Sequence, residues 1–327
     1  MITLVYSTHF QLNRDWFHAP LCCVEKDLHT IPLLRELLTF SQPYALLHNT
    51  APSQQIVTTH PMVQSLRRVT ILDLAAAKAS RRPLTMVTAY DWPTGLLVDA
   101  SGVDCVLVGD SVAMVVAGRS STLPATLEQM IYHGEIVARA AVRAMVVVDL
   151  PFPFQHLGVR TAIESCARLL KETGCQAVKL EGTAGQADVI AGIVAAGIPV
   201  MGHVGLRPQA VHQLGGYRMQ RDIDAIMADA RAAADAGAFA VVLECIPKEV
   251  ARSITESIAI PTIGIGAGPS CDGQVLVLHD LIGLSMDRVP KFVRAYADAK
   301  GSIADGLSRW RHDVEQRTFP GAAETLG

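Results

Sequence analysis

The segment Met145-Val-Val-Val-Asp149, a helical stretch over 161–173, and the segment Ala177-Val-Lys-Leu-Glu181 form the unit on which the fold of this chain turns. A short apolar run, a segment of helical periodicity and a second apolar run spell one βαβ unit. The same alternation recurs on both sides of it, from Thr70 onward. The spacing predicts strands at Leu84–Thr88, Cys105–Val108, Met145–Val148, Ala177–Leu180, Pro199–Gly202, Ala240–Leu243, Thr262–Ile265 and Val275–Leu278. Helices are predicted at 92–101, 125–142, 161–173, 184–196, 222–236 and 247–258. Most strand-to-strand steps are roughly 20 to 40 residues, and eight such units over about 250 residues match a (β/α)8 TIM barrel. A doubly wound open sheet is the rival architecture. It advertises a Gly-rich turn after its first strand, and here Ala89-Tyr90-Asp91 stands at that place.

Composition agrees. Half of the 327 residues are hydrophobic and only 5% aromatic, with a mean hydropathy of +0.29. The excess is Ala, Val, Leu and Ile, as strands buried on both faces require. No run of about 18 apolar residues free of charge exists, so a membrane span is not expected. A net charge of -3 without a Lys/Arg cluster gives no reason to expect nucleic acid. Seven scattered cysteines with no C-x-x-C pair suit a reducing compartment. The N-terminus lacks a basic start and apolar core, so the expected location is cytoplasmic.

The barrel is expected over residues 66–327, preceded by an irregular extension over 1–65 with one short helical stretch, Ile31 to Leu38. The extension reads as a small extra segment, a disordered leader, or a start placed too early, with Met62 as the alternative start.

Ionisable residues close several apolar runs: Val-Leu-Val-Gly-Asp110, Val-Val-Val-Asp149, Val-Lys179-Leu-Glu181, Met-Gly-His203 and Val-Val-Leu-Glu244. In a parallel barrel every strand C-terminus opens on the face that carries the active site. Asp110, Asp149 and Glu181 should therefore converge from consecutive strands. Lys179 and Glu181, two apart, should point the same way. Crowded carboxylates repel one another, and an oxygen-only donor set suits Mg2+, which keeps several waters and leaves room for an oxygen-bearing substrate. An acid after a strand also serves as a helix N-cap or turn residue. Four acids and a lysine on adjacent strands exceed what capping needs. His203 reads equally well as a hydrogen-bonded structural histidine, Gly264-Ile-Gly-Ala-Gly268 as a tight turn lining the pocket floor, and Cys245 carries no assigned chemistry.

Several ordered stretches carry a family resemblance. They are Val108-Gly-Asp-Ser111, Ser121-Thr-Leu-Pro124, Val148-Asp-Leu-Pro-Phe152, Val178-Lys-Leu-Glu-Gly182, Gly202-His-Val-Gly-Leu206, Leu243-Glu-Cys-Ile-Pro247 and Ile263-Gly-Ile-Gly-Ala-Gly268. Asp272-Gly-Gln-Val, His279-Asp280 and Pro290-Lys-Phe-Val follow in order. Together, from about Thr70 to Pro320, they resemble 3-methyl-2-oxobutanoate (ketopantoate) hydroxymethyltransferase. The resemblance implies a TIM-barrel homo-oligomer, octameric or decameric, in pantothenate biosynthesis. It implies transfer of a one-carbon unit from 5,10-methylenetetrahydrofolate to 3-methyl-2-oxobutanoate through a Mg2+-stabilised enolate. Carried over motif by motif, Asp110 and Asp149 bind the metal, with Glu181 completing its site. Asp110, Ser111, Asp149 and Lys179 contact the 2-oxo acid, and Glu244 is the acid/base residue.

This sequence departs from the family pattern in places. Pro153-Phe-Gln-His156 replaces a Gly/Ser/Tyr-rich turn, and Ala113 and Ser120 replace a glycine and an acid. The loop after Gly215-Gly-Tyr-Arg-Met-Gln-Arg221, expected to cover the site, is several residues short, and Ala322-Ala-Glu-Thr replaces a His-rich ending. Two alternatives therefore stay open: a related Mg2+-dependent 2-oxo acid lyase or mutase, and an inactive paralogue.

Overall fold

The computed structural model describes residues 67–286 and 289–326. The extension over 1–65, its helical stretch Ile31 to Leu38 and the alternative start at Met62 lie outside the described residues. Eight strands close into one barrel in chain order: β1 Leu84–Thr88, β2 Cys105–Val108, β3 Met145–Asp149, β4 Ala177–Glu181, β5 Val200–Gly205, β6 Ala240–Glu244, β7 Thr262–Ile265 and β8 Gly273–Leu276. Every neighbouring pair is parallel, including β8 with β1. The chain is a (β/α)8 barrel, as its alternation predicts.

Three strands span the predicted residues, and β3, β4 and β6 each run one residue further, taking in Asp149, Glu181 and Glu244. The fifth strand is longer and places His203 inside it. The eighth begins two residues before the predicted Val275, because Gly273 closes the barrel against Leu84 and Ile263. A Cβ there would sit 2.6 Å from the Leu84 carbonyl oxygen, so the closure needs glycine. Leu278 starts a helix instead.

Helices α1 Ile71–Ala79, α2 Trp92–Ala100, α3 Val112–Val115, α4 Leu127–Ala140, α5 Val159–Thr173, α6 Ala187–Ala195, α7 Ile223–Asp235, α8 Lys248–Ser257, α9 Leu278–Leu281 and α10 Ala299–Glu315 complete the described chain. Both readings of an acid after a strand are realised. Asp91, just past β1, accepts a hydrogen bond from Thr94 N at 2.8 Å and caps α2. Asp110, just past β2, makes no such bond and faces other acids.

Alternation along the strands makes two apolar layers. Val106, Val108, Val146, Val148, Val178 and Val200 pack outward with Val137, Leu169 and Ile193 of the helices. Met86, Leu107, Met145, Val147, Ala177, Met201 and Val242 fill the barrel with Leu74 and Ala77 of α1. Each such side chain contributes about 1.5–3 kcal/mol when fully buried. Counting on by twos, the filling positions continue to Asp149, Lys179, Glu181, His203 and Glu244. At the opposite end, Asp272 accepts from Lys78 Nζ and Thr262 N, each at 2.8 Å, and from Thr262 Oγ1 at 3.1 Å.

No helix among the described residues is long and apolar enough to cross a membrane. None of the residues of α10 is buried. Ile303, Leu307, Trp310 and Val314 are 50, 62, 55 and 42% exposed along one helical stripe.

Candidate active site

Asp149, Lys179, Glu181 and His203 are all nearly inaccessible at the C-terminal mouth of the barrel, and Asp110 is 4% exposed. Register brings them together: Asp149 pairs with Lys179 and Glu181 with His203 across adjacent strands. Lys179 Nζ lies 3.0 Å from Asp149 Oδ1. The other oxygen, Asp149 Oδ2, accepts from Asp110 N at 3.0 Å, tying the end of β3 to the turn after β2.

His203 links this group to Glu244. Lys179 Nζ stands 3.3 Å from His203 Nδ1, while His203 Nε2 is 2.9 Å from Leu206 O and 3.2 Å from Glu244 Oε2. An ammonium only donates, so Nδ1 accepts and the ring proton sits on Nε2, shared between two oxygens. The structural reading of His203 thus joins the functional one. Glu244 itself keeps 17% of its side chain exposed, so it alone of these acids meets solvent.

Burial sets the electrostatics. Asp110 is pushed up to about 7, first by burial and then by the Asp149 charge, with Lys179 and Gln209 opposing. Burial, reinforced by Asp110, also raises Glu181 well above the usual carboxylate range. Burial works against the Lys179 charge, yet Asp149, Asp110 and Glu181 outweigh it and hold the group above its ordinary value. Ser111 Oγ is 2.8 Å from Tyr90 OH, and burial raises that phenol despite the hydrogen bond.

These groups suit a hard divalent cation. Three buried carboxylates face one ammonium and every anionic donor is oxygen; Lys179 Nζ, 3.0 Å from Asp149 Oδ1, leaves the three acids with less positive charge than they carry negative. Among the described residues no group of three or more His, Cys, Asp or Glu side chains is arranged to hold a metal ion by itself.

Sequence reasoning missed three residues here. Gln209 Nε2 donates to Asp110 Oδ2 at 2.8 Å and to Leu150 O at 3.1 Å, and its backbone N donates to Glu181 Oε2 at 3.0 Å. Gln155 Nε2 donates to Gln209 Oε1. Tyr90, fully buried, orients Ser111. None lay in a stretch read for chemistry: Gln209 stands three residues past Gly202–Leu206, Gln155 in the departure Pro153–His156, and Tyr90 in the turn Ala89-Tyr90-Asp91. The glycine-rich stretch is placed differently from its reading. Gly264 and Ile265 belong to β7, as the predicted strand had them, and the tight turn starts at Gly266, whose φ is 64°, at the mouth end of the strand. The loop at Gly215 reaches the site. The Tyr217 phenol is raised by burial and by the charges of Asp110, Glu244 and Glu181, and Gln220 N donates to Cys245 O at 3.0 Å.

The chain is similar to known proteins along this whole barrel. Proteins named 3-methyl-2-oxobutanoate hydroxymethyltransferase match at 52% identity in Rhodopirellula baltica, over 79% of this chain and 96% of that protein, and at 51% in Desulforapulum autotrophicum, over 77% and 96%. Among solved structures, a 2,3-dimethylmalate lyase of the PEP mutase/isocitrate lyase superfamily aligns at 16% identity with a TM-score of 0.51, over 79% of this chain and 91% of that one. A phosphonopyruvate hydrolase aligns at 12% with a TM-score of 0.53, over 79% and 92%. Identities that low establish a shared fold and leave its chemistry aside. The family model described as ketopantoate hydroxymethyltransferase matches residues 68–322, and the chain belongs to that family.

Proposed function

We propose that this chain transfers a hydroxymethyl group from 5,10-methylenetetrahydrofolate to 3-methyl-2-oxobutanoate, forming 2-dehydropantoate in pantothenate biosynthesis. The observation that carries the reading is the pairing of buried Lys179 with Asp149 at 3.0 Å, joined through His203 to a partly exposed Glu244. In this reading Asp110 and Asp149 hold Mg2+ and Glu181 completes its site through water. Bound there, Mg2+ supplies Lewis acidity at the keto oxygen of the 2-oxo acid.

The chain's own groups do the rest. Lys179 places a fixed positive charge beside the oxygen that gains charge as the proton on C3 leaves. Ser111, oriented by Tyr90, donates to an oxygen of the same substrate, and Asp110 and Asp149 line the place where it sits. Glu244 takes the C3 proton or returns one to a folate nitrogen, and its contact with solvent lets it exchange that proton. One water is consumed: it supplies the oxygen of the new hydroxymethyl group as the methylene carbon leaves the folate nitrogens, and the inward side chains below this layer are apolar, so that water enters from the mouth.

Purified full-length protein, given Mg2+, the folate and the 2-oxo acid, should form 2-dehydropantoate. Asp149→Asn should lower kcat/KM by about a thousandfold, equivalent to about 4 kcal/mol, with an unchanged circular dichroism spectrum. A folded wild type that makes no product at saturating metal and folate would falsify this reading. We also infer a cytoplasmic homo-oligomer, octameric or decameric as the family resemblance implies; the unburied apolar stripe of α10 supports self-association alone. Light scattering should show one assembly that Trp310→Glu weakens, and a monomeric wild type would overturn it.

A further inference from the structure

Gln209 is neutral, yet it is hydrogen-bonded to groups at the ends of three strands. It sits in a short 3-10 turn, Pro208–Ala210, just past β5, and is 7% exposed. Its amide orientation is fixed by its partners. The Nε2 group meets the carbonyl of Leu150, which can only accept, and the carboxyl of Asp110, while Oε1 meets the amide nitrogen of Gln155. A flipped amide would set oxygen against oxygen on one side and nitrogen against nitrogen on the other. Gln155 is 1% exposed, and its own Oε1 has no hydrogen-bond partner among the described residues, so its side chain serves Gln209.

We propose that Gln209, held by Gln155, is a positioning residue that sets the arrangement of Asp110 and Glu181 for a divalent cation. The proposal rests on the functional reading above, in which Asp110 is a cation ligand. Two buried carboxylates that repel each other need a donor between them to stay in place. A second lysine or arginine, added to Lys179, would do this by cancelling more of the charge the cation needs. A neutral amide with a backbone N–H beside it fixes one oxygen of each acid and cancels nothing. Side chain and backbone of one residue thereby link the turn after β2 to the end of β4.

The test is Mn2+ binding to the full-length protein, followed by electron paramagnetic resonance with no substrate present. Gln209→Met keeps length and the backbone N–H while losing the amide, and should weaken Mn2+ binding by about 10- to 100-fold. Gln155→Met should weaken it less, and the double variant should bind no worse than Gln209→Met alone, because Gln155 acts through Gln209. A purely structural role would lower the melting temperature and leave the affinity of folded protein unchanged. Wild-type affinity in folded Gln209→Met, or additive losses in the double variant, would overturn the proposal. Should Gln209→Met not fold, wild-type affinity in Gln155→Met overturns it on its own. A wild type that binds no Mn2+ sinks the functional reading itself, a result distinct from either of these.

Discussion

Replacing Lys179 by methionine removes the ammonium that faces three buried acids and keeps a similar side-chain volume. Unit charges 3.0 Å apart attract by about 5 to 6 kcal/mol at an effective dielectric near 20. The burial of both ions offsets part of this, and breaking such a pair by removing one partner costs about 3–5 kcal/mol. For a chain of this size that corresponds to a fall in Tm of about 10 °C. The loss should depend on pH in a definite direction. Lys179 is among the groups that hold Asp110 and Glu181 down, so without it both carboxyls rise further. A folded-state value raised above that of the unfolded chain, near 4, gives stability that is full below about 4 and is lost as pH climbs through the folded value, here about 7 and above. The Tm deficit of Lys179→Met relative to wild type should therefore be larger at about pH 8 than at about pH 5.5, where the broken pair with Asp149 still costs stability but Asp110 and Glu181 add little. Saturating MgCl2 should recover part of the deficit at the higher pH by replacing the missing charge. Differential scanning calorimetry at the two pH values reads this directly. An equal deficit at both would mean that the lysine stem, and not its charge, holds the site together, and the electrostatic account would fail.

Three further outcomes follow from the geometry. Glu244→Gln should lower kcat by about 10²–10⁴-fold in steady-state assays with little change in Tm, since the group is partly exposed. Tyr90→Phe loses the 2.8 Å bond to Ser111 and should raise KM for the 2-oxo acid by about fivefold, equivalent to about 1 kcal/mol; an unchanged KM would deny Ser111 a substrate role. Asp272→Ala removes three hydrogen bonds, one of them from an ammonium, at the end of the barrel away from the site. It should cost about 2–3 kcal/mol in chemical denaturation and leave kcat of the folded fraction intact.

Strands were easier to read than the helices that bracket the barrel. β1, β2 and β7 stand where apolar runs bounded by turn residues placed them; burial on both faces leaves β2 an unbroken signal, and β1 keeps Leu84, Met86 and Thr88 buried on one face. α1 went unread: Ile71–Ala79 is nine residues, mostly Ala, Leu and Ile, with little polar face to show a period. α10 went unread because Gly301 and Gly306 look like breaks in its pattern, and no neighbour among the described residues rewards its apolar stripe. In the site, Asp110, Asp149, Lys179, Glu181 and Glu244 announced themselves as charges at the ends of apolar runs. Gln155 and Gln209 could not, since an amide in a loop carries the same signal whether it meets water or a buried carboxylate.

The two-residue alternation of β3, β4 and β6 has a consequence for how this protein tolerates change. Met145 and Val147 lie on the same side of the strand as Asp149, and Ala177 on the same side as Lys179 and Glu181. Inserting or deleting one residue within such a strand would invert everything beyond it, sending the acids among the helices and aliphatic groups into the mouth. Length variation should therefore collect in the connecting segments, while the strands themselves accept only exchanges that conserve count.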